Sequence, residues 1–282
     1  MPAGDVRAAV DAAVAEGRMG DRVWLYATYH CNLRCSYCLT ESGPRIRDRR
    51  ELGCEDMVRA VREAALLGLR RAGVTGGEVF MLPEMPAVLA EMATVVPTTA
   101  LTNATLFTDR LLGRMAPLAG NDAFALQVSL DSAEADHNDR LRGPRNFARV
   151  CEAVPRLRER GVRVRIATTV EDQTPADLAR LCDLHRAWGI PDDDHVIRPV
   201  VRRGRAAVRG MGVVPAPGDI LPELTITADG AFLDPFAPTV RRGRTDVDRL
   251  VSRETAPMIA AVEAFLEAVA ARPGADAERS IR

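Results

Sequence analysis

An α/β protein built on a parallel sheet with crossover helices is the fold class that the sequence predicts, on two observations. Six short β-branched or apolar runs are interleaved with longer segments of helical spacing, and strand-then-helix repetition is the pattern of βαβ units. Residues that start and stop helices also stand where those segments need them. The first run, residues 23–31, leads through a cysteine-bearing stretch to a helical segment at 54–68. There Met57, Val58, Val61, Ala64, Ala65 and Leu69 recur at the spacing of one helix face. A run at 69–78 and a helix at 85–96 follow. Next come a run at 98–105 and a helix at 108–119 opened by Thr108-Asp109. The run at 123–131 precedes a helix at 146–161 closed by Gly161. The run at 162–170 precedes a helix at 175–189, with Thr174 as cap, Pro175 in the first turn and Gly189 at the end. The sixth run is 195–201. Six units are too few for the eight-fold closed barrel. A partial barrel or an open doubly wound sheet remains, and in either the ligand site lies at the carboxyl ends of the strands.

Beyond residue 201 the character changes. Arg202-Arg203-Gly204-Arg205 and the glycine- and proline-rich residues 210–218 read as a linker. Residues 224–233 read as two short strands around the Asp229-Gly230 turn, and 256–271 as an amphipathic helix. The expected organisation is an N-terminal extension at 1–20, a main domain at 21–206, and a linker with a small α+β appendage at 207–282.

Composition excludes several chemistries. All 38 basic residues are arginine and none is lysine, against 39 acids. Without lysine there is no Schiff base, no amine base and no phosphate-loop lysine. That removes pyridoxal-phosphate enzymes, Schiff-base aldolases and Walker-type NTPases. The near-zero net charge gives no support for a nucleic-acid surface. Nothing approaches the roughly 18 apolar residues of a membrane span. The N-terminus lacks the order of a signal peptide, so a cytoplasmic location is expected. In a reducing compartment, clustered cysteines read as metal-binding or catalytic.

Three of the six cysteines, Cys31, Cys35 and Cys38, are spaced C-x3-C-x2-C at the carboxyl end of the first strand. Three ligands suit a cubane iron–sulfur cluster with one iron open, since a closed structural site wants four. The alternative is a zinc knuckle completed by a histidine. His30 adjoins Cys31 in an extended segment and points to the opposite face.

Residues 29–38, YHCNLRCSYC, resemble the signature of the radical S-adenosylmethionine (radical SAM) enzymes. The resemblance implies a partial (βα)6 TIM-like barrel, a [4Fe–4S] cluster on Cys31, Cys35 and Cys38, and S-adenosylmethionine chelated to its fourth iron. Tyr37 would lie near the adenine. Gly76-Gly77-Glu78 resembles the family's GGE motif; physically, glycines permit close backbone approach, and a carboxylate can accept from the cofactor's amino group. Thr102 and Asn103 end the third strand where the family contacts its cofactor. Ser129 and Asp131 end the fourth, near the expected ribose. HNDRLRG at 137–143 resembles a segment of one branch in which the arginine at the place of Arg142 approaches the S-adenosylmethionine carboxylate. Arg198 ends the sixth strand beside the expected adenine position. That branch carries SPASM or twitch appendages with auxiliary clusters. Here no cysteine follows Cys182, and Asp234 stands where one might be expected. One cluster and a degenerate twitch-like appendage are therefore expected.

The remaining candidates are few. Cys54, Cys151 and Cys182 sit in predicted helices and read as structural, Cys151 and Cys182 on apolar faces. The alternative is a hydrogen donor to a substrate radical, with Cys54 the least buried candidate. His185, between Leu181 and Trp188, reads as a packed or surface residue. His137 and His195 lie nearer strand ends and remain open as catalytic candidates. Arg202, Arg203 and Arg205 read either as a solvated linker or as a clamp for substrate carboxylate or phosphate. The function expected is radical hydrogen abstraction from a small molecule such as a sugar, nucleoside or natural-product intermediate. Only about 20 residues precede the first strand, so no fused peptide-recognition domain is expected. A ribosomally made peptide with a separate recognition protein is the alternative substrate. An external donor such as flavodoxin or ferredoxin would supply electrons. A non-catalytic iron–sulfur or zinc module is the reading from another class.

Overall fold

The structure, a computed structural model, describes residues 1–46, 51–216 and 218–272. In chain order, helix α1 (Ala3–Ala15) precedes strand β1 (Arg22–Thr28). Then come α2 (Cys54–Leu66), β2 (Arg71–Gly76), α3 (Met85–Ala93), β3 (Thr98–Thr102), α4 (Asp109–Arg114) and β4 (Phe124–Ser129). The chain continues through α5 (Ala135–Arg142), α6 (Asn146–Glu159), β5 (Val164–Val170), α7 (Pro175–Ala187), β6 (His195–Pro199) and α8 (Gly204–Arg209). It ends in β7 (Thr225–Thr227), β8 (Gly230–Phe232), β9 (Val240–Arg241), β10 (Arg244–Thr245), β11 (Leu250–Ser252) and α9 (Met258–Ala270).

The six expected strands form one parallel sheet in chain order, β1 to β6, as in a partial barrel. Strands buried on both faces need apolar residues at nearly every position. β1 meets that demand, with Val23 through Thr28 all buried. Alternate residues of the strands turn inward, and Trp24, Tyr26, Thr75, Leu101, Gln127 and Arg198 line a common interior. Outside, α2 buries Met57, Val58, Ala60, Val61 and Ala64, close to the face that the sequence predicts.

The C-terminal hairpin at Asp229-Gly230 forms as expected, and it extends the main sheet. β7 pairs parallel to the free edge of β1, β8 pairs antiparallel to β7, and β11 pairs antiparallel to β8. Asp234 is fully buried, and accepts from Arg249 Nη1 at 2.8 Å and from the Phe236 amide at 3.0 Å. α9 packs on α1 and α2, and its first amide is capped by Glu63 Oε2 at 2.7 Å.

Local differences from the expectation have physical reasons. The predicted helix at 108–119 stops at Arg114 and tightens into a 3₁₀ turn at Ala116–Leu118, because Pro117 has no amide to continue the ladder. Within the N-terminal range 1–20, α1 buries one stripe, Val6, Val10 and Ala13. α5 escapes periodicity because much of what it buries is polar: Asn138 and Arg142 beside Leu141. α8 lies in the arginine-rich stretch read as linker. Of the linker range 210–218 and the range 207–282, residues 217 and 273–282 lie outside the described residues.

His185 is buried with neither ring nitrogen hydrogen-bonded, edge-on to His195 at 4.4 Å between ring centroids. Burial pushes its pKa down to about 3. The unfolded chain therefore takes up a proton below pH 6.5 that the folded chain refuses, so stability falls as pH drops. The expected loss is about 2 kcal/mol between pH 6.5 and 5. Urea unfolding of the wild type and His185→Leu at both pH values checks it; the variant should lose much of that slope.

Candidate active site

The ladder of β1 ends at Thr28, short of the predicted Cys31, and the three cysteines occupy the irregular loop that follows. Cys31 is buried, and its sulfur faces the Leu33 amide at 3.4 Å and Asn103 Nδ2 at 3.7 Å. Cys35 and Cys38 are half-buried. The Cys38 amide donates to the Cys35 carbonyl at 3.4 Å, and its sulfur lies 3.6 Å from Thr40 Oγ1. Arg205 on α8 staples this loop: Nη1 donates to the Cys35 carbonyl, Nη2 to the Ser42 carbonyl, and its amide to the Cys38 carbonyl.

The two glycines of the GGE motif serve the loop's backbone. The Gly77 amide donates to the Thr28 carbonyl at 2.6 Å and the Glu78 amide to the His30 carbonyl at 2.8 Å. A Cβ on Gly76 would lie 2.2 Å from the Thr28 oxygen, and one on Gly77 2.0 Å from the His30 oxygen. No side chain fits. Glu78 is fully buried and its carboxylate ties down the end of β3. Oε1 accepts from Thr102 Oγ1 at 2.8 Å and from the Phe80 amide at 3.2 Å, and Oε2 from the Asn103 amide at 2.8 Å. Burial pushes its pKa up while those three donors pull it down.

A second buried carboxylate, Asp131, organises the far wall. Its Oδ2 accepts from Tyr37 OH and from Arg142 Nε at 2.9 Å, and its Oδ1 from the Thr169 amide at 2.9 Å. Burial works against the Arg142 charge, yet Asp131 beside it raises the guanidinium above its ordinary value. The guanidinium also stands over the Tyr37 ring at 5.7 Å.

These elements enclose a cavity of about 160 Å³ at the carboxyl ends of the strands. Cys31, Cys35, Cys38, Tyr37, Gly76, Gly77, Thr102, Asn103, Ser129, Arg142 and Arg198 all line it. Glu78 and Asp131 stand behind it and act through their partners. The others are elsewhere. Cys54 packs against the core at the start of α2. His137 pairs with Asp172 at 2.8 Å. His195 opens β6 at the amino end, between Thr168 Oγ1 at 2.8 Å and Cys182 Sγ at 3.6 Å. Arg202 donates to the Met211 and Gly212 carbonyls, and Arg203 pairs with Asp248 at 2.7 Å. With Arg205 on the loop, all three arginines are engaged by protein. Sequence reasoning missed Tyr26, Thr75, Thr169 and Phe236, which line the cavity. The first three share the inward parity of their strands, a signal present in the sequence; Phe236, after β8, carries none.

The donor set fits an iron–sulfur cluster with a small polar cofactor. Three thiols face one cavity that continues into glycine backbone, hydroxyls and a guanidinium. Among the described residues, no three His, Cys, Asp or Glu side chains are grouped to hold a single metal ion. Burial pushes the Cys31 thiol up to about 12 and Cys35 up to about 11, with Arg142 and Arg205 pulling Cys35 the other way. Thiolates in such a place need a cationic centre as counter-charge.

A sequence model of the Radical SAM superfamily matches residues 25–185. The chain belongs to this superfamily. Membership implies a [4Fe–4S] cluster and S-adenosylmethionine. Among curated relatives, the subtilosin biosynthesis protein AlbA of Bacillus subtilis is 30% identical over 148 residues, 51% of this chain and 32% of AlbA. The mycofactocin maturase MftC of Mycobacterium tuberculosis is 30% identical, covering 57% of this chain and 41% of MftC. A GTP 3',8-cyclase of Rhodococcus opacus is 37% identical over 44% of this chain and 36% of its own. The chain thus spans well under half the length of these three relatives. Among solved structures, anSMEcpe with bound AdoMet has a TM-score of 0.60 at 12% identity, covering 87% of this chain and 82% of that one. Streptococcus suis SuiB bound to precursor peptide SuiA has a TM-score of 0.58 at 21% identity, covering 70% and 43%. At these identities the structures show the fold: a six-stranded parallel sheet of the partial radical SAM barrel, with a small C-terminal antiparallel region. No helix among the described residues is long and apolar enough to cross a membrane.

The glycine pair gives a direct test. Gly77→Ala must displace the His30 carbonyl beside Cys31, so iron retained after anaerobic reconstitution should fall below about half of the wild-type level. Gly113→Ala, whose Cβ meets nothing within 4 Å, should load iron normally.

Proposed function

We propose that this radical SAM protein holds a single [4Fe–4S] cluster on Cys31, Cys35 and Cys38 and abstracts hydrogen from a small molecule. The observation that carries this reading is the convergence of those cysteines with Gly76, Gly77, Thr102, Asn103, Ser129, Arg142 and Arg198 on one cavity. When bound there, the reduced cluster supplies the electron that cleaves S-adenosylmethionine to methionine and a 5′-deoxyadenosyl radical. The protein's part is placement and exclusion of water.

Arg142 would receive the cofactor carboxylate. Its Nε is spent on Asp131, which leaves the fork of terminal nitrogens for bidentate binding. The carbonyls of the Gly76–Gly77 turn would accept from the amino group, Ser129 would face the ribose, and Tyr37 and Arg198 would flank the adenine. Glu78 and Asp131 are positioning residues, since their oxygens are engaged by protein donors. Asn103 Nδ2, aimed at the Cys31 sulfur, would stabilise thiolate charge. A flavodoxin- or ferredoxin-type donor would deliver the electron.

The small-molecule reading draws support from the enclosed space below the site, a cavity of about 320 Å³ inside the barrel. A peptide substrate is the second reading, favoured by similarity to the maturase MftC and to SuiB, which was solved with its precursor peptide.

Anaerobic reconstitution should give about four irons per chain, and reduction with S-adenosylmethionine present should release 5′-deoxyadenosine. Cys35→Ser should lose both. Zinc in place of iron, or no cleavage product, would overturn the reading. Transfer of deuterium into 5′-deoxyadenosine from labelled small molecules, or from a labelled peptide, separates the two substrate classes.

A further inference from the structure

The barrel interior does not end beneath the cofactor site. The cavity of about 320 Å³ below it shares Tyr26, Leu39, Thr75, Leu101, Arg198 and Phe236 with the upper one, so the two adjoin. Its lower wall is basic. Arg22 opens β1, Arg71 opens β2, Arg165 lies early in β5 and Arg198 near the end of β6, and all four line this space. Inward parity puts them there, the same parity that turns Trp24 and Tyr26 inward.

These charges are unequally compensated. Arg71 pairs with Asp21; Arg165 Nε lies 3.1 Å from Asp194 Oδ1, an ion pair without a hydrogen bond, and that nitrogen is buried with no acceptor. Glu223, the carboxylate on the lining, accepts from Trp24 Nε1 at 2.6 Å and faces the Arg22 charge. The Arg198 side chain makes no ion pair or hydrogen bond among the described residues and packs instead over the Phe236 ring at 5.5 Å. Arg22 Nε is buried without a hydrogen-bond partner, and the guanidinium stands 5.1 Å over the Trp24 ring. Burial lowers the pKa of both Arg22 and Arg198. Desolvated guanidinium groups with open donors are costly unless an anion meets them.

We propose that the lower cavity binds an anionic group of the substrate, phosphate or carboxylate, on Arg22 and Arg165, with Arg198 at the boundary with the cofactor site. The proposal rests on the radical reading of the upper cavity. An anion held at this depth leaves the rest of the molecule reaching up toward the cysteines, where the hydrogen is taken. Arginine suits either anion, because its planar fork matches two oxygens at once. The same chemistry explains how a lysine-free chain selects an acidic substrate.

Trp24 reports on the site. The chain has two tryptophans, so Trp188→Phe leaves Trp24 as the single emitter, next to Arg22 and Glu223. Titrating this reconstituted variant with inorganic pyrophosphate and, separately, tricarballylate should give a saturable change in emission with at least one. The better binder identifies phosphate or carboxylate as the source. Adding Arg22→Gln, or Arg165→Gln where the first fails to fold, should raise the dissociation constant at least about tenfold, as expected for loss of a charge-assisted hydrogen bond. No saturable response to either anion, or unaltered binding in both variants, would overturn the proposal. Release of 5′-deoxyadenosine from the Trp188→Phe protein without added substrate is scored alongside. Normal release with no anion binding sinks the anion site alone; anion binding without release sinks the radical reading of the upper cavity alone.

Discussion

The apposition of two backbones at the ends of β1 and β2 is the constraint on which the site depends. The Gly77 and Glu78 amides donate to the Thr28 and His30 carbonyls, and a Cβ on either glycine would overlap those oxygens. This contact fixes where the cysteine loop leaves the sheet. Glu78 carries the fixation one strand further, because its buried carboxylate collects the Thr102 hydroxyl and the Asn103 amide. Three strand ends are thereby set by one turn, and Asn103 turns its side chain to the Cys31 sulfur. A buried carboxylate is costly unless its lone pairs are filled. Here its three donors come from backbone and side-chain groups of the same wall.

The opposite wall follows the same logic with a different anion. Asp131 would be an isolated buried charge without Arg142, and Arg142 an isolated buried cation without Asp131. Together with Tyr37 and the Thr169 amide they make a unit that joins the cysteine loop to β4, α5 and β5. Arg205 closes the structure from α8 by holding the Cys35, Cys38 and Ser42 carbonyls. Arg205 does what lysine could not: its planar group satisfies the Cys35 and Ser42 carbonyls in fixed directions.

Much of this was legible in the residues. The six strands and the cysteine spacing follow from periodicity and motif, because strand burial and metal ligation each impose a residue type at fixed intervals. The motifs also pointed to Tyr37, Thr102, Asn103, Ser129, Arg142 and Arg198, which line one cavity. The sequence does not reveal whether a polar residue at a strand end faces the cavity or supports a neighbour that does. Glu78 and Ser129 look alike in that respect, yet one lies behind the wall and the other on it. Helix α5 was hidden for a related reason: it buries hydrogen-bonded polar groups, which leave no apolar stripe.

What the sequence determined by itself is the chemistry available: three thiols at C-x3-C-x2-C, a glycine pair at the second strand's end, and arginine as the sole side-chain cation besides histidine. These are local facts, set by residue type and spacing. Only the tertiary structure decided which arginines reach a cavity and which are held by neighbouring loop groups. Arg202, Arg203 and Arg205, adjacent in sequence and next to the last barrel strand, are engaged by carbonyls and Asp248. Arg22, Arg165 and Arg198, far apart in sequence, line one cavity inside the barrel. The physical reason is that strand parity and sheet closure choose the inward face, and neither is set by residues close together in the chain.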